Sequence, residues 1–100
     1  MITNILTATV TAYCSCKLCC GPQAKGICAN NKQPREGITI AASRKYPLNT
    51  TTVLIQGHTY TVQDRLAKRY DNRFDIYFAS HQKAKEFGKQ QLQVTIITKE

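Results

Sequence analysis

Acidic side chains are scarce in this chain of 100 residues, which has six aspartate and glutamate residues against fourteen lysines and arginines. The formal charge of +8 favours an anionic partner, such as nucleic acid, an anionic membrane or a bacterial cell wall, although high charge also serves solubility alone. The basic residues are scattered, with no run of five or more, and no recognition-helix pattern occurs. We therefore expect no nucleic-acid partner.

Long apolar runs are also absent. No segment is apolar for long enough to cross a bilayer as a helix, so we expect no membrane insertion. Residues 1–6 lack the basic residues and the apolar run of a signal peptide, which leads us to expect either a removed leader or another route of export. The length predicts one domain over residues 1–100 with a modest core, and we expect a monomer.

Five cysteines lie within fifteen positions, and their odd number prevents full pairing within one chain. We prefer structural disulfides, which imply an oxidising compartment. Zinc ligation is the alternative, because a Cys-x-x-Cys spacing is present, but four-ligand zinc sites usually bring two such pairs from separate knuckles. We assign no metal and no cofactor. The disulfide candidates are Cys14, Cys16, Cys19, Cys20 and Cys28.

Alternation of apolar and polar residues predicts six short strands, over residues 6–13, 37–43, 51–56, 59–64, 73–79 and 91–97. A short helix is expected from a Ser80 cap to Phe87, ending at Gly88. Residues 14–36, which are interrupted by glycine and proline, are typical of a long cysteine-rich loop. We predict a mainly β chain that closes into a small barrel, because closure removes exposed sheet edges.

Two of the scarce carboxylates, Asp64 and Asp75, occur within predicted strands. The two-residue period of a strand directs Asp75 away from the apolar Phe74 and Ile76, and so toward a groove outside the core. Partial burial raises the pKa of a carboxyl group, and a carboxylic acid that stays protonated near neutral pH can donate a proton to a glycosidic oxygen.

The same period places Asp64 on one face with Tyr60 and Val62, from which it would reach across the groove to tune the acid or bind substrate hydroxyls. Spacing alone, however, favours structural ion pairs between the two aspartates and the neighbouring Arg65 and Arg73.

Two further side chains border this groove. Tyr13 ends the first strand on its polar face, where an aromatic ring can stack on a sugar or simply pack against a neighbouring strand. His81 opens the helix beside the Asp75 strand and is a candidate for facing the same groove, although histidine has many structural uses.

Several segments along the chain occur in a specific order and carry a resemblance to a known family. They are Val10-Thr11-Ala12-Tyr13, Gly37-Ile38-Thr39-Ile40-Ala41, Pro47-Leu48-Asn49-Thr50, Val53–Gly57, Tyr60-Thr61-Val62-Gln63-Asp64, Asn72–Phe78, Ala84, Phe87-Gly88 and Val94–Ile97. In this order they resemble the three-aspartate (3D) domain, a six-stranded double-psi β-barrel that also forms the catalytic part of the lytic transglycosylase A family. The resemblance covers almost the whole chain, and the eleven-residue step from Asp64 to Asp75 is its most specific feature.

The chain departs from the family pattern in two places. The family's first aspartate, expected near Ala42 or Ser43, is missing, and the basic residues 65–70 replace a glycine-rich segment. The cysteine segment that begins at Cys14 resembles an insert found in some phage and bacterial members.

The resemblance implies a peptidoglycan lytic transglycosylase, a lyase that cleaves the MurNAc-β-1,4-GlcNAc bond and forms 1,6-anhydro-MurNAc. Asp75 would act as acid and then as base, with Asp64 as its support. The partner would be peptidoglycan glycan strands in the cell wall or periplasm, and the missing leader favours a phage-encoded, endolysin-like protein released in the infected host. Substrate-binding roles are assigned to Tyr13, Thr39, Arg73, Tyr77 and His81.

Two other functions fit the same sequence. A non-catalytic, expansin-like barrel would keep the groove and bind polysaccharide without an acid. A zinc or interaction module built on the cysteine loop would leave both aspartates structural. Fold alone does not choose among these functions, because one fold hosts several activities.

Overall fold

The computed structural model describes residues 2–14, 33–66 and 73–98, which contain six strands and one short helix. Helix α1 (His81–Phe87) lies between the last two strands. The expected mainly β chain with one short helix is confirmed, whereas most of the predicted cysteine-rich loop lies outside the described residues. The strands are β1 (Ile2–Tyr13), β2 (Thr39–Ala42), β3 (Thr51–Ile55), β4 (His58–Arg65), β5 (Arg73–Tyr77) and β6 (Gln90–Thr98).

The strands close into a barrel in the order β1-β5-β2-β4-β3-β6. β1 pairs with β5 and β2 pairs with β4 in parallel, while the remaining neighbours are antiparallel. Neither parallel pair is consecutive in the sequence, so each pair is joined by a crossover connection, and the expected closed barrel of six strands is confirmed. No helix within the described ranges is long and apolar enough to cross a membrane.

Apolar side chains, most of them valine or isoleucine, fill the barrel interior and form its core. They alternate along each strand, as the two-residue period requires, and each fully buried aliphatic side chain contributes about 1.5–3 kcal/mol. Tyr46, Leu48 and Phe87 are among the partly buried side chains that pack against this core. The interior residues are Ala8, Val10, Ile40, Ala42, Val53, Ile55, Val62, Phe74, Ile76, Val94 and Ile96.

Strand β1 begins at Ile2, four residues before the predicted start at Leu6. Residues 2–7 are all exposed, and the antiparallel register with β6, from Ile2 opposite Thr98 onward, holds them extended. A strand stabilised by backbone pairing without burial has no alternation of apolar and polar residues, so its sequence carries no strand signal.

A β-bulge in β4 corrects the predicted orientation of Asp64. Ile40 lies opposite Val62, but the next residue, Ala41, lies opposite Asp64, so that Gln63 is an extra residue in β4. The side chain of Val62 is in the core, and the extra residue turns Asp64 to the opposite, outer side of the barrel wall. The prediction that Asp64 shares a face with Val62 is therefore wrong.

Helix α1 is defined at both ends by the residues that the sequence indicated. The hydroxyl of Ser80 accepts a hydrogen bond from the Lys83 amide at 3.4 Å, as an N-cap does. Gly88, with φ of 69°, follows the helix and donates its amide to the carbonyl of Ala84 at 3.3 Å. Ala84 is the buried residue of this helix.

Two isoleucines that flank the start of β2 provide a matched test of the core. Ile40 is fully buried at 0% exposure, whereas Ile38 is 41% exposed. We expect Ile40→Ala to lower the free energy of unfolding by about 2–5 kcal/mol, since it leaves a cavity in the barrel. Ile38→Ala should change it by less than about 1 kcal/mol. Urea unfolding measures both, and equal effects would contradict the described core.

Candidate active site

One residue from each of four adjacent strands forms a row across the outer side of the barrel wall. Thr11 of β1 is opposite Asp75 of β5, Asp75 is opposite Ala41 of β2, and Ala41 is opposite Asp64 of β4. We call Thr11, Asp75, Ala41 and Asp64 the aspartate row. Because neighbouring strands are about 4.8 Å apart, the two aspartate backbones are about 10 Å apart, with only the methyl group of Ala41 between them.

Asp75 is a partly buried acid with a defined hydrogen-bond donor. The hydroxyl of Thr11 donates to its Oδ1 atom at 3.0 Å. Burial raises the pKa of Asp75 to about 6. The Thr11 hydrogen bond and the positive charge of Arg73 lower this pKa, and the negative charge of Asp64 raises it further. Desolvation therefore dominates, as expected for a carboxyl group whose charged form has lost water.

Asp64 is held on both sides of its carboxylate. The hydroxyl of Tyr13 donates to Oδ2 at 2.9 Å, and the backbone amide of Arg65 donates to Oδ1 at 2.9 Å. Hydrogen bonds to a charged carboxylate are stronger than neutral ones, so they fix the orientation of this group.

A second apolar cluster covers the outer wall around the aspartate row. It consists of Tyr13, Ala41, Leu66 and Tyr77. The rings of Tyr13 and Tyr77 meet edge to face, with centroids 5.4 Å apart and planes at 69°. Both tyrosines are buried, so Tyr13 makes the packing contact that the sequence left open as one alternative. This cluster supplies the apolar surroundings that desolvate the site.

The two arginines expected to pair with the aspartates differ in their roles. The guanidinium Nη1 atom of Arg65 donates to the carbonyls of Ser43 and Tyr46, at 2.9 and 2.6 Å. Arg65 contacts Asp64 through its backbone amide. Arg73 lies two residues before Asp75 on β5 and acts on it through its charge.

The predicted binding residue Thr39 has its hydroxyl engaged within the protein. This residue is fully buried, and its Oγ1 atom donates to Oε1 of Gln63 at 2.6 Å. The same oxygen accepts a hydrogen bond from the Arg35 amide at 2.9 Å. Thr39 thus braces the bulge residue that turns Asp64 outward.

His81 lies beside the end of β1, in contact with Cys14. Its Nδ1 atom is 3.5 Å from Sγ of Cys14, whose side chain is buried. The disulfide interpretation for Cys14 stays a prediction, because its candidate partners are not among the residues that the structure describes. The candidates Cys16, Cys19, Cys20 and Cys28 lie outside the described residues.

Sequence reasoning missed two members of the aspartate row. Alternation put Thr11 on the polar face of β1, but its contact with Asp75 depends on the parallel pairing of β1 with β5, which no local pattern predicts. Ala41 matters through its small size, since a larger side chain would separate the two carboxylates. The sequence did carry one signal for these two residues, because the family resemblance includes the segments Val10–Tyr13 and Gly37–Ala41, which contain them.

The arrangement combines a protonatable carboxyl with a fixed carboxylate on one surface. Such a pair, whose environments give the two groups different tasks, is typical of proton-transfer sites. Within the described ranges, no three acidic, histidine or cysteine side chains come together in a way that could hold a metal ion. Neither a scan against models of known protein families nor a search of curated proteins returned a match to this chain.

The raised pKa of Asp75 makes a signed prediction about stability. The folded protein favours the protonated form of Asp75. The contribution of this group to the free energy of unfolding is therefore fully present below about pH 4 and is lost as the pH rises through about 6. We expect Asp75→Asn, which keeps the acceptor for Thr11 and removes the charge, to raise the free energy of unfolding above pH 7 by the order of 2–3 kcal/mol.

Urea unfolding at pH 4 and pH 8 measures this difference. The control is Glu86→Gln, which removes a carboxylate from the exposed face of α1. A destabilised Asp75→Asn at pH 8 would contradict a desolvated acid at this position.

Proposed function

We propose that this protein is a peptidoglycan lytic transglycosylase in which Asp75 is the acid and then the base. The observation that supports this most is the desolvated carboxyl of Asp75 on the outer wall, held by Thr11 and facing Asp64 across Ala41. The family resemblance of the ordered segments supplies the substrate, the MurNAc-β-1,4-GlcNAc bond of peptidoglycan.

The pKa of Asp75 determines whether this carboxyl can serve as an acid. With a pKa of about 6, about one tenth of the molecules carry the proton at pH 7. An unperturbed aspartate would carry it in about one molecule in a thousand. The increase of roughly a hundredfold favours proton donation, and a pKa near the working pH also suits the return of the proton.

The reaction needs one carboxyl group in two protonation states. Asp75 gives its proton to the glycosidic oxygen as the bond from C1 of MurNAc breaks. The resulting carboxylate then takes the proton of the C6 hydroxyl of the same sugar, and O6 bonds to C1 to close the 1,6-anhydro ring. No water is consumed, in contrast to the two-carboxylate hydrolases.

Asp64 supports this cycle through its fixed charge. Its carboxylate is oriented by Tyr13 and by the Arg65 amide, and its charge raises the pKa of Asp75. A negative group on the same surface also stabilises the positive charge that develops at C1 as the leaving group departs. Asp64 therefore acts without itself transferring a proton.

The charge of the whole chain matches the proposed substrate. A formal charge of +8 attracts the anionic bacterial wall and increases encounter with it. Action on the cell wall in the manner of a phage endolysin follows as part of the proposal. Tyr13 and Tyr77, the two site tyrosines, are buried, which disfavours the alternative of a polysaccharide-binding surface based on these rings.

Product analysis after Asp75→Asn tests the proposal. Purified protein is incubated with insoluble peptidoglycan, and the soluble products are identified by mass. We expect anhydro-muropeptides from the wild type and from Glu86→Gln, and a loss of at least about a hundredfold in Asp75→Asn, since proton transfer by a positioned group contributes about 10²–10⁴.

Three outcomes of this assay would overturn the proposal. Hydrated reducing ends among the products would indicate a hydrolase. Full activity in Asp75→Asn would show that Asp75 is not the acid of the reaction. A wild type that cosediments with peptidoglycan but releases nothing would indicate the binding module.

The pH dependence of cleavage provides a second test. Asp75 must begin protonated, so we expect kcat/KM to fall about tenfold per pH unit above about pH 6. Because the charge of Asp64 raises the pKa of Asp75, Asp64→Asn should move this descending limb to lower pH. A limb that stays in place or moves to higher pH in Asp64→Asn would contradict the described coupling.

A further inference from the structure

The first half of β1 has one edge that no other described strand covers. β1 pairs with β6 from Ile2 to Val10, but its parallel pairing with β5 begins only at Thr9. On the β5 side, residues 2–8 therefore have no partner among the strands that the structure describes. We call residues 2–8 the β1 edge. An unpaired strand edge is a template for pairing with another chain.

The backbone directs amides and carbonyls out of the β1 edge in a fixed pattern. The carbonyl of Tyr13 points to the β5 side, where it accepts the Phe78 amide at 2.8 Å. The register of β1 is unbroken along both of its neighbours, so every second residue before Tyr13 directs its amide and carbonyl to that same side. Within the β1 edge these residues are Thr3, Ile5 and Thr7.

Two apolar side chains of the β1 edge lie on the interior side of the wall but are exposed. Leu6 is opposite the core residue Val94, so Leu6 and, by the period of two, Ile2 face the interior side. Leu6 is nevertheless 36% exposed and Ile2 is 55% exposed. No described strand continues over them, because β5 begins opposite Thr9. Removing this apolar surface from water would be favourable.

The composition of the β1 edge fits a second copy of the same chain. β1 contains no charged residue and no proline, although the whole chain carries a formal charge of +8. Edge strands usually carry lysine or proline, which prevents pairing between copies. Two copies repel each other through their net charge, so an uncharged surface is where they meet at the least electrostatic cost. An anionic partner gains no attraction from this edge.

A twofold axis at Asn4 gives the β1 edge a self-complementary register. Antiparallel pairing about Asn4 places Ile2 of one copy opposite Leu6 of the other, apolar against apolar, on the interior side. On the outer side it places Thr3 opposite Ile5. Both of these residues direct backbone groups to the edge, so each such pair exchanges two hydrogen bonds. The pairing ends before the part of β1 that β5 covers.

We propose that this protein forms a twofold-symmetric dimer through antiparallel pairing of the β1 edges of two copies. The two barrels then share one continuous sheet in the order β3-β6-β1-β1-β6-β3. Pairing of residues 2–6 buries less than the roughly 1,200–2,000 Å² of a standard interface, so we expect a weak dimer with a Kd on the order of 100 μM.

The dimer differs from the monomer that we expected from the sequence. It is also independent of the proposed glycan cleavage, because the aspartate row lies outside residues 2–8. The two copies therefore keep both sites accessible to substrate, and a failure of either proposal leaves the other standing.

Sedimentation equilibrium of the full chain tests the association, under reducing conditions that exclude association by disulfides. We expect the wild type to approach twice its monomer mass of 11.2 kDa as the concentration rises toward about 1 mM. Asn4→Lys should raise the Kd at least about tenfold, since it places two lysines directly opposite each other at the axis. The matched control, Gln82→Lys, adds the same charge at an exposed position of α1 and should leave the Kd within about twofold of the wild type. A wild type that stays monomeric, or equal Kd values for the two variants, would overturn the proposal.

Amide hydrogen exchange of the ¹⁵N-labelled wild type locates the contact without any substitution. The amides of Thr3 and Ile5 should exchange about fourfold more slowly at about 1 mM than at about 20 μM, because mass action leaves about one fifth of the chains monomeric at the higher concentration. The amide of Asn4, which points to β6, should be unchanged. Equal exchange of Thr3 and Ile5 at both concentrations, or slowing confined to other strands, would overturn the proposed contact.

Discussion

The bulge at Gln63 determines which side of the barrel wall carries the second carboxylate. A regular β4 would direct Asp64 inward with Val62, where an unpaired charge would destabilise the core. One extra residue directs it outward instead, into the row with Asp75. The hydrogen bond from Thr39 to Gln63 braces this irregularity, so a buried hydroxyl of β2 supports the site from the same outer side of the wall.

The site depends on a balance between desolvation and hydrogen bonding. The cluster of Tyr13, Ala41, Leu66 and Tyr77 removes water from the outer wall, which disfavours the charged form of Asp75. Thr11 and Arg73 oppose this effect, and the pKa of about 6 is the result. Such a group reduces stability at neutral pH, where its charged form is disfavoured by burial, and the closed barrel supplies the stability that tolerates it.

Features that depend on local sequence patterns were predictable, whereas features that depend on pairing between distant strands were not. Alternation identified six strands, and capping chemistry identified the helix between Ser80 and Gly88. The exposed first residues of β1 and the bulge at Gln63 have no local signature, because backbone pairing with other strands creates them. The outward orientation of Asp75 followed from the period of two, while its contact with Thr11 required the parallel register.

The central claim is that burial on the outer wall of the barrel raises the pKa of Asp75 well above that of a solvated aspartate. A titration of the wild-type protein that follows the ¹³C resonance of the Asp75 side-chain carboxyl carbon by NMR measures this directly. The account predicts a midpoint near 6. A midpoint near 4, the usual value for a solvated aspartate, would contradict it.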